Sequence, residues 1–409
     1  MASKLVDTLT PSYLNEFTCI GSACEDTCCS GWRVNIDQET YKKYKKVKSY
    51  DMRSRFEKNI TRNRTNPTKD NVAKMKMEKG SCSFLSKEGW CDIQSNLGED
   101  YLCNTCAVYP RRTNIVNNSI EQSLTVSCPE AARLVLLNQG GIDFEEGPKK
   151  ISIKEFSSII NTSKGTITHW KDFINEYRYM TILILQSSNY TLEERLLVLG
   201  LLYNELEECV KNNRLNDIPE ILGQYLKSVE DQTFKGAFKN VSNRLDIQLQ
   251  LCRELVILRL NQGITSSRYL ECSKEMMLGL KIEASTTNEE LQDIYKDAYS
   301  QYYVPFMEQH EYMLENYLVN YVFKNCMPID CDLPFTSYTR MVLHYSLIKL
   351  HLVGMAKHYE GLTSDLVIKL VQSLSKTFEH NPSYFEKIMG LIKENNIMNL
   401  TYMSILIKN

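Results

Sequence analysis

The segment CIGSACEDTCCSGW, Cys19 to Trp32, places four cysteines within eleven residues and constrains the fold more than any other stretch. Nine of the fourteen cysteines fall before residue 129 (Cys19, Cys24, Cys28, Cys29, Cys82, Cys91, Cys103, Cys106 and Cys128), and the other five are scattered over the remainder. The early group reads as a site, and the later five as small core residues. A chain of 409 residues, 43% of them apolar, can bury enough surface to fold without disulfides. The opening MASKLVDTLTPSYLNEF lacks the basic start, apolar run and cleavage site of an export signal, so a cytoplasmic location is expected.

No window approaches 18 uninterrupted apolar residues. The richest, MTILIL at 180 to 185, suits a buried helix, and no membrane span is expected. A net charge of −2 argues against a nucleic-acid protein, although residues 42 to 79 hold ten Lys and four Arg against four acids. That segment reads as a solvated helix followed by the loop NRTNPTKDN, with docking of an acidic partner as the functional alternative. Tyr41, Tyr44, Tyr50 and Phe56 do not interleave with the charges as a base-stacking platform would.

A boundary near residue 148 is marked by NQGGIDFEEGPKK, where Gly140, Gly141, Gly147 and Pro148 gather. Two domains follow: residues 1–148, cysteine-rich and loop-rich, and residues 149–409, a bundle of α-helices. In TLEERLLVLGLLYNELEEC, Thr191 and Glu194 form the pattern of a capping box ahead of apolar residues at helical spacing. DIQLQLCRELVILRL, DIYKDAYSQYYVPFMEQ and LENYLVNYVFKN continue the rhythm, with Pro305 expected to bend or end one helix. The fold class is therefore mainly α, with the cysteine-rich part packed on the bundle. No strand runs into a Gly-rich turn of the Rossmann kind, so a Rossmann methyltransferase core is not expected.

All six histidines (His169, His310, His344, His351, His358 and His380) follow the cysteine-rich part, so a metal site within residues 1–148 has only thiolates to use. Zinc Cys₄ sites usually show two CxxC knuckles, and here only Cys103 and Cys106 make one. Iron–sulfur clusters accept cysteines from several loops, one per iron, and suit the irregular C-x4-C-x3-CC spacing better. Zinc and free redox thiols stay open as alternatives, since soft thiolates bind either metal. The CxxxCxxC of radical enzymes is not matched, because the third cysteine stands at 29. His344, His351 and His358 share a helix face, but successive steps of about 10.5 Å are too long for one ion. A cysteine hydrolase has no histidine in the cysteine-rich part to act as its base.

CIGSACEDTCCSGWRVNID, SCSFLSKEGWCDIQ, LGEDYLCNTCAVYPRR and VSCPEAARL, with LENYLVNYVFKN far downstream, resemble the flagellin lysine-N-methylase family. The N-terminal part is also similar to a broader group of zinc- or iron-chelating proteins with a CxxCxxCC core. The resemblance runs from about residue 9 to near the C-terminus and implies transfer of methyl groups from S-adenosylmethionine to lysine ε-amines of flagellin, by a protein carrying a 4Fe-4S cluster. On the same resemblance the metal ligands are Cys19, Cys24, Cys28, Cys29, Cys82, Cys91, Cys106 and Cys128, with Cys103 an extra. Eight exceed the needs of one cubane, which leaves either two metal sites or some structural thiols.

A lysine ammonium, with an ordinary pKa near ~10.4, has no lone pair and must be deprotonated before it attacks a sulfonium methyl. The site therefore needs an apolar aromatic pocket, a proton acceptor and a binder for the cofactor carboxylate. VYPRR supplies Tyr109 for the amine and Arg111 and Arg112 for the carboxylate; the alternative is a turn that packs the cysteine loop. In LENYLVNYVFKN, Asn316 with Asn320 and Tyr317 with Tyr321 stand at i,i+4, either to hold the cofactor or to pack the bundle. Trp32 is expected to cover the cysteines or to line the lysine channel. A non-catalytic zinc- or iron-binding carrier or adaptor is the alternative function.

Overall fold

The computed structural model of the protein describes residues 4–151, 156–162, 167–283 and 285–408, so only the first three residues of the opening segment lie outside it. Helices dominate, as expected, and they fill the chain from residue 170 onward. Thr191 caps the helix Leu192–Lys211 as the sequence indicated: its hydroxyl takes the Glu194 N–H and the Glu194 carboxylate takes the Thr191 N–H. Pro305 lies in the first turn of the helix Val304–Asn325. Without an N–H it cannot continue the ladder from Asn288–Ala298, and the chain passes between the two helices through π-turns at Tyr299–Tyr303.

The helix Pro334–Tyr359 runs through the middle of the bundle and is buried on every face along most of its 26 residues. It crosses the helix Ser267–Gly279 at glycine on both sides. A Cβ at Gly279 would lie 1.9 Å from the carbonyl oxygen of Gly354, so the backbones touch where neither residue has a side chain. Gly279→Ala should therefore separate the two helices and lower stability by about 1–3 kcal/mol. A denaturant titration showing an unchanged midpoint would contradict that crossing. The five later cysteines, Cys209, Cys252, Cys272, Cys326 and Cys331, are all buried, as core filler should be.

A five-stranded mixed sheet accompanies the bundle, and the sequence did not announce it. Lys4–Pro11 lies between Ser119–Leu124, to which it runs parallel, and Phe144–Ile151, to which it runs antiparallel. Arg111–Val116 and Ser158–Ile160 complete the order on the other side. The sheet thus extends past residue 148. Its mixed pairing differs from the parallel sheet of a Rossmann core.

The cysteines lie in a smaller layer with its own apolar core, which includes Val34, Ile36, Tyr44, Phe56, Phe84 and Ile93. Tyr44 and Phe56 stack at 4.0 Å inside it, while Lys42, Lys43, Lys45, Lys46 and Lys48 face solvent. The basic run is a solvated face over two helices, Gln38–Lys45 and Tyr50–Asn59. The Asp37 carboxylate caps the first of these through Thr40 N–H and also takes the Asn104 N–H at 3.0 Å, tying it to the segment of Cys103 and Cys106.

Candidate active site

Local structure gives several thiols a common setting. Cys91, Cys103 and Cys128 each stand at the N-cap of a short helix (Asp92–Leu97, Asn104–Val108 and Pro129–Leu136), where backbone N–H groups favour negative charge. Cys82 binds Cys29 through the backbone, N–H to carbonyl, at 2.7 Å. The Cys29 thiol donates to Cys28 and Cys91. That bond, with the N–H groups of Gln94 and Ile93, overcomes burial and draws Cys91 down to about 6. Cys28 is lowered too, first by its bond with Cys29 and against burial, while burial pushes Cys82 up to about 11 and Cys128 to about 12.

Cys103, set aside on the resemblance, is fully buried, and its bond with Cys106 is the main reason the Cys106 thiol is raised. Cys19 is exposed, and Cys24 bonds the Asp26 carbonyl at 3.3 Å. Among the described residues no three His, Cys, Asp or Glu side chains are spaced to hold a metal ion. What the layer offers is a pooled set of sulfur donors of the kind soft metals take.

Asp26 clamps the cysteine loop to the bundle, beside a second ion pair between Glu25 and Arg268. Asp26 accepts from Lys376 Nζ at 2.7 Å and from Gln372 Nε2 at 2.8 Å, and Gln372 also reaches the Ser127 carbonyl at 2.8 Å. Both partners lie on the helix Ser364–Phe378. A cavity of 780 Å³ opens beside this clamp, between the cysteine layer, the sheet and the bundle.

Trp32, Tyr109, Arg111, Arg112 and Tyr321, five of the residues singled out in the sequence, line that cavity together. The Trp32 indole N–H donates to the Cys28 carbonyl, and its ring packs 5.3 Å from Tyr109 and 5.6 Å from His380. Tyr109 OH lies 3.1 Å from Ser127 Oγ, which is 2.9 Å from His380 Nε2. Arg111 stacks over Phe17 at 5.0 Å. The other three do not line the cavity. Asn316 donates to the Asn138 carbonyl, Asn320 donates to the Leu124 carbonyl and accepts from Tyr13 OH, and Tyr317 OH meets His344 Nδ1 at 3.3 Å.

Sequence reasoning did not assign His380, Glu379, Lys324, His344 and Arg340 to a site, and they also line the cavity. Lys324 and Glu379 form a buried ion pair. Burial alone would raise the Glu379 carboxyl, but Lys324 and His344 outweigh it and hold it down at about 2. Burial lowers His344 to about 4 and lowers His380 as well, and it raises the Tyr109 phenol well above its usual 10. At neutral pH the cavity therefore holds two neutral imidazoles, a protonated phenol and fixed charges of both signs. The EHN triplet at 379–381 stands at a helix end, and nothing in its spacing links it to cysteines 250 residues earlier.

Comparisons with known proteins bear on the family of the chain. The chain is 22% identical over 387 residues to proteins named lysine-N-methylase from Salmonella choleraesuis and Salmonella typhimurium, covering 92% of this chain and 93% of each relative. It is also 32% identical over 133 residues to the flagellar biosynthetic protein FliU of Salmonella muenchen, covering 32% of this chain and 79% of that one. No solved structure matches it. Residues 178–406, more than half of the chain, match the family described as the FliB lysine N-methylase C-terminal domain, and the chain belongs to that family.

Proposed function

We propose that this chain is a protein-lysine N-methyltransferase that uses S-adenosylmethionine, takes flagellin as its protein substrate, and performs the transfer in the cavity between the cysteine layer and the bundle. The observation that carries the reading is the convergence of Trp32, Tyr109, Arg111 and Arg112 on one space. Arginines suit the cofactor carboxylate because the guanidinium fork matches its two oxygens. An aromatic wall excludes water from the sulfonium and the amine.

His380 is the proton acceptor of this scheme. The Tyr109 phenol is pushed up by burial, so it stays protonated and orients the amine without taking its proton. The lining carries Arg111, Arg112, Lys324 and Arg340 against Asp330, Glu379 and Glu386, a balance that disfavours a further cation and so favours the neutral amine. His380 is uncharged at neutral pH and open at the cavity rim. It takes the proton that the lysine must lose before its lone pair meets the methyl in line.

The thiol layer, on this reading, would hold a 4Fe-4S cluster on four thiols drawn from Cys19, Cys24, Cys28, Cys29, Cys82, Cys91, Cys106 and Cys128, the others being structural or forming a second site. The sulfur-only donors support it, and such a cluster would stabilise the layer that presents Trp32 and Tyr109. The flagellar name of one relative supports the choice of substrate. No described helix is long and apolar enough to cross a membrane, in keeping with a cytoplasmic enzyme that meets its substrate before export.

The test uses anaerobically purified protein: iron, sulfide and zinc content, titration with S-adenosylmethionine, and mass spectrometry of flagellin incubated with both. Arg112→Gln should weaken cofactor binding roughly ten- to hundred-fold, as loss of a hydrogen bond to a charged group does. Zinc without iron, no cofactor binding and unmodified flagellin would leave a metal carrier or adaptor instead.

A further inference from the structure

A second and larger cavity, 1220 Å³, lies beyond the wall of the first. Phe323 lines it while its neighbour Lys324 lines the methyl-transfer cavity, so one turn of helix divides the two. Its base is closed by the buried pair of Arg178 and Glu121. Its sides are half-buried apolar groups, Leu9, Phe144, Ile182 and Leu183, with Tyr179 65% exposed above them.

Among the described lining residues, the charge left outside the Arg178–Glu121 pair is negative. Asp7, Glu146 and Glu230 are exposed on its rim, and none of them is in an ion pair with a described residue. Among the described lining residues the only cation is Arg178, already bound to Glu121. One side is bounded by the strand Phe144–Ile151, whose outer edge has no strand partner among the described residues. The groove therefore combines apolar sides, three carboxylates with no ion-pair partner among the described residues and a sheet edge, which together suit an extended segment carrying cations and some apolar side chains.

The methyl-transfer cavity lacks that attraction. With four cations against three acids among its described lining residues, it does not draw a lysine-bearing protein toward it. We propose that the acidic groove docks a lysine-bearing, partly apolar segment of the protein being methylated, away from the lysine that reacts. This rests on the methyl-transfer reading and names how that enzyme holds its substrate. Methylation leaves the lysine charge in place, so the groove retains modified and unmodified segments alike and favours several transfers in one encounter.

The experiment compares the full chain with its D7N/E146Q/E230Q variant, whose three positions are exposed and leave the core untouched. Three surface pairs of ordinary strength amount to a roughly ten-fold rise in KM for flagellin at low salt. The dependence of KM on salt should flatten, while kcat and affinity for S-adenosylmethionine stay as in the wild type. Unchanged KM with unchanged salt dependence would overturn the groove and leave the methylase reading standing. Direct binding of flagellin to the two proteins, without cofactor, reads the groove independently of turnover. Equal affinity there would overturn it even if the wild type methylates nothing, a result that would separately sink the methylase reading.

Discussion

Lys324→Met should lower stability by about 3–5 kcal/mol, because it leaves the Glu379 carboxylate buried without its cation. Lys324 Nζ is almost wholly enclosed, and Glu379 is nearly so. In the wild type the carboxyl is held at about 2 when folded, against an ordinary value near 4.5. Its stabilisation is complete above pH 4.5 and is lost as pH falls toward 2. His344 adds a slope of the same sign: burial lowers it from 6.5 to about 4, so the unfolded chain binds the extra proton in that window and stability falls as acid is added. Without Lys324 the balance at Glu379 reverses. Burial then raises its carboxyl, and the variant should lose stability as pH rises through the ordinary carboxylate range. Urea titrations from pH 3 to 7 separate the two curves by slope. Lys324→Met with Glu379→Leu removes both charges and should recover most of the loss; a double variant no more stable than the single one would mean the pair is not what holds this wall.

His380→Gln should reduce kcat for methylation by about 10²- to 10⁴-fold, the usual contribution of a positioned general base. The glutamine keeps a hydrogen bond to Ser127 and a polar face toward Trp32, but it accepts no proton. Cofactor affinity should stay within a few-fold, since the imidazole is assigned to the amine and not to the carboxylate. The rate profile is the sharper readout. Burial lowers His380 below its ordinary 6.5, so the acid limb of kcat/KM in the wild type should fall off below pH 6.5, and the limb should be missing in the variant. A variant that turns over within three-fold of the wild type, with the same limb, would assign the proton to another acceptor.

Local features were the legible ones. The Thr191–Glu194 box, the helical repeat behind it and the burial of the late cysteines follow from contacts within a few residues, and they could be read directly. Part of the cavity was legible for a chemical reason: VYPRR concentrates a tyrosine and two arginines beside Cys106, and few functions use that combination. The sheet was not, because Lys4–Pro11 pairs with strands more than a hundred residues away and its letters alternate weakly. His380 was hidden by the same distance. The absence of histidine from residues 1–148 pointed away from any imidazole near the thiols, yet the fold brings one to Ser127, next to Cys128, across 253 positions. Asn316 and Asn320 have the spacing of a binding pair, and they spend their amide donors on backbone carbonyls instead.

The placement of Lys4–Pro11 inside the sheet sets a timetable for the growing chain. This strand leaves the ribosome more than a hundred residues before its neighbours at 119–124 and 144–151. The thiols from Cys19 to Cys128 are all synthesised within that interval, before Gln372, Lys376 and His380 exist to close over them. The cysteine layer is thus complete in sequence well before the helix that clamps it has been made.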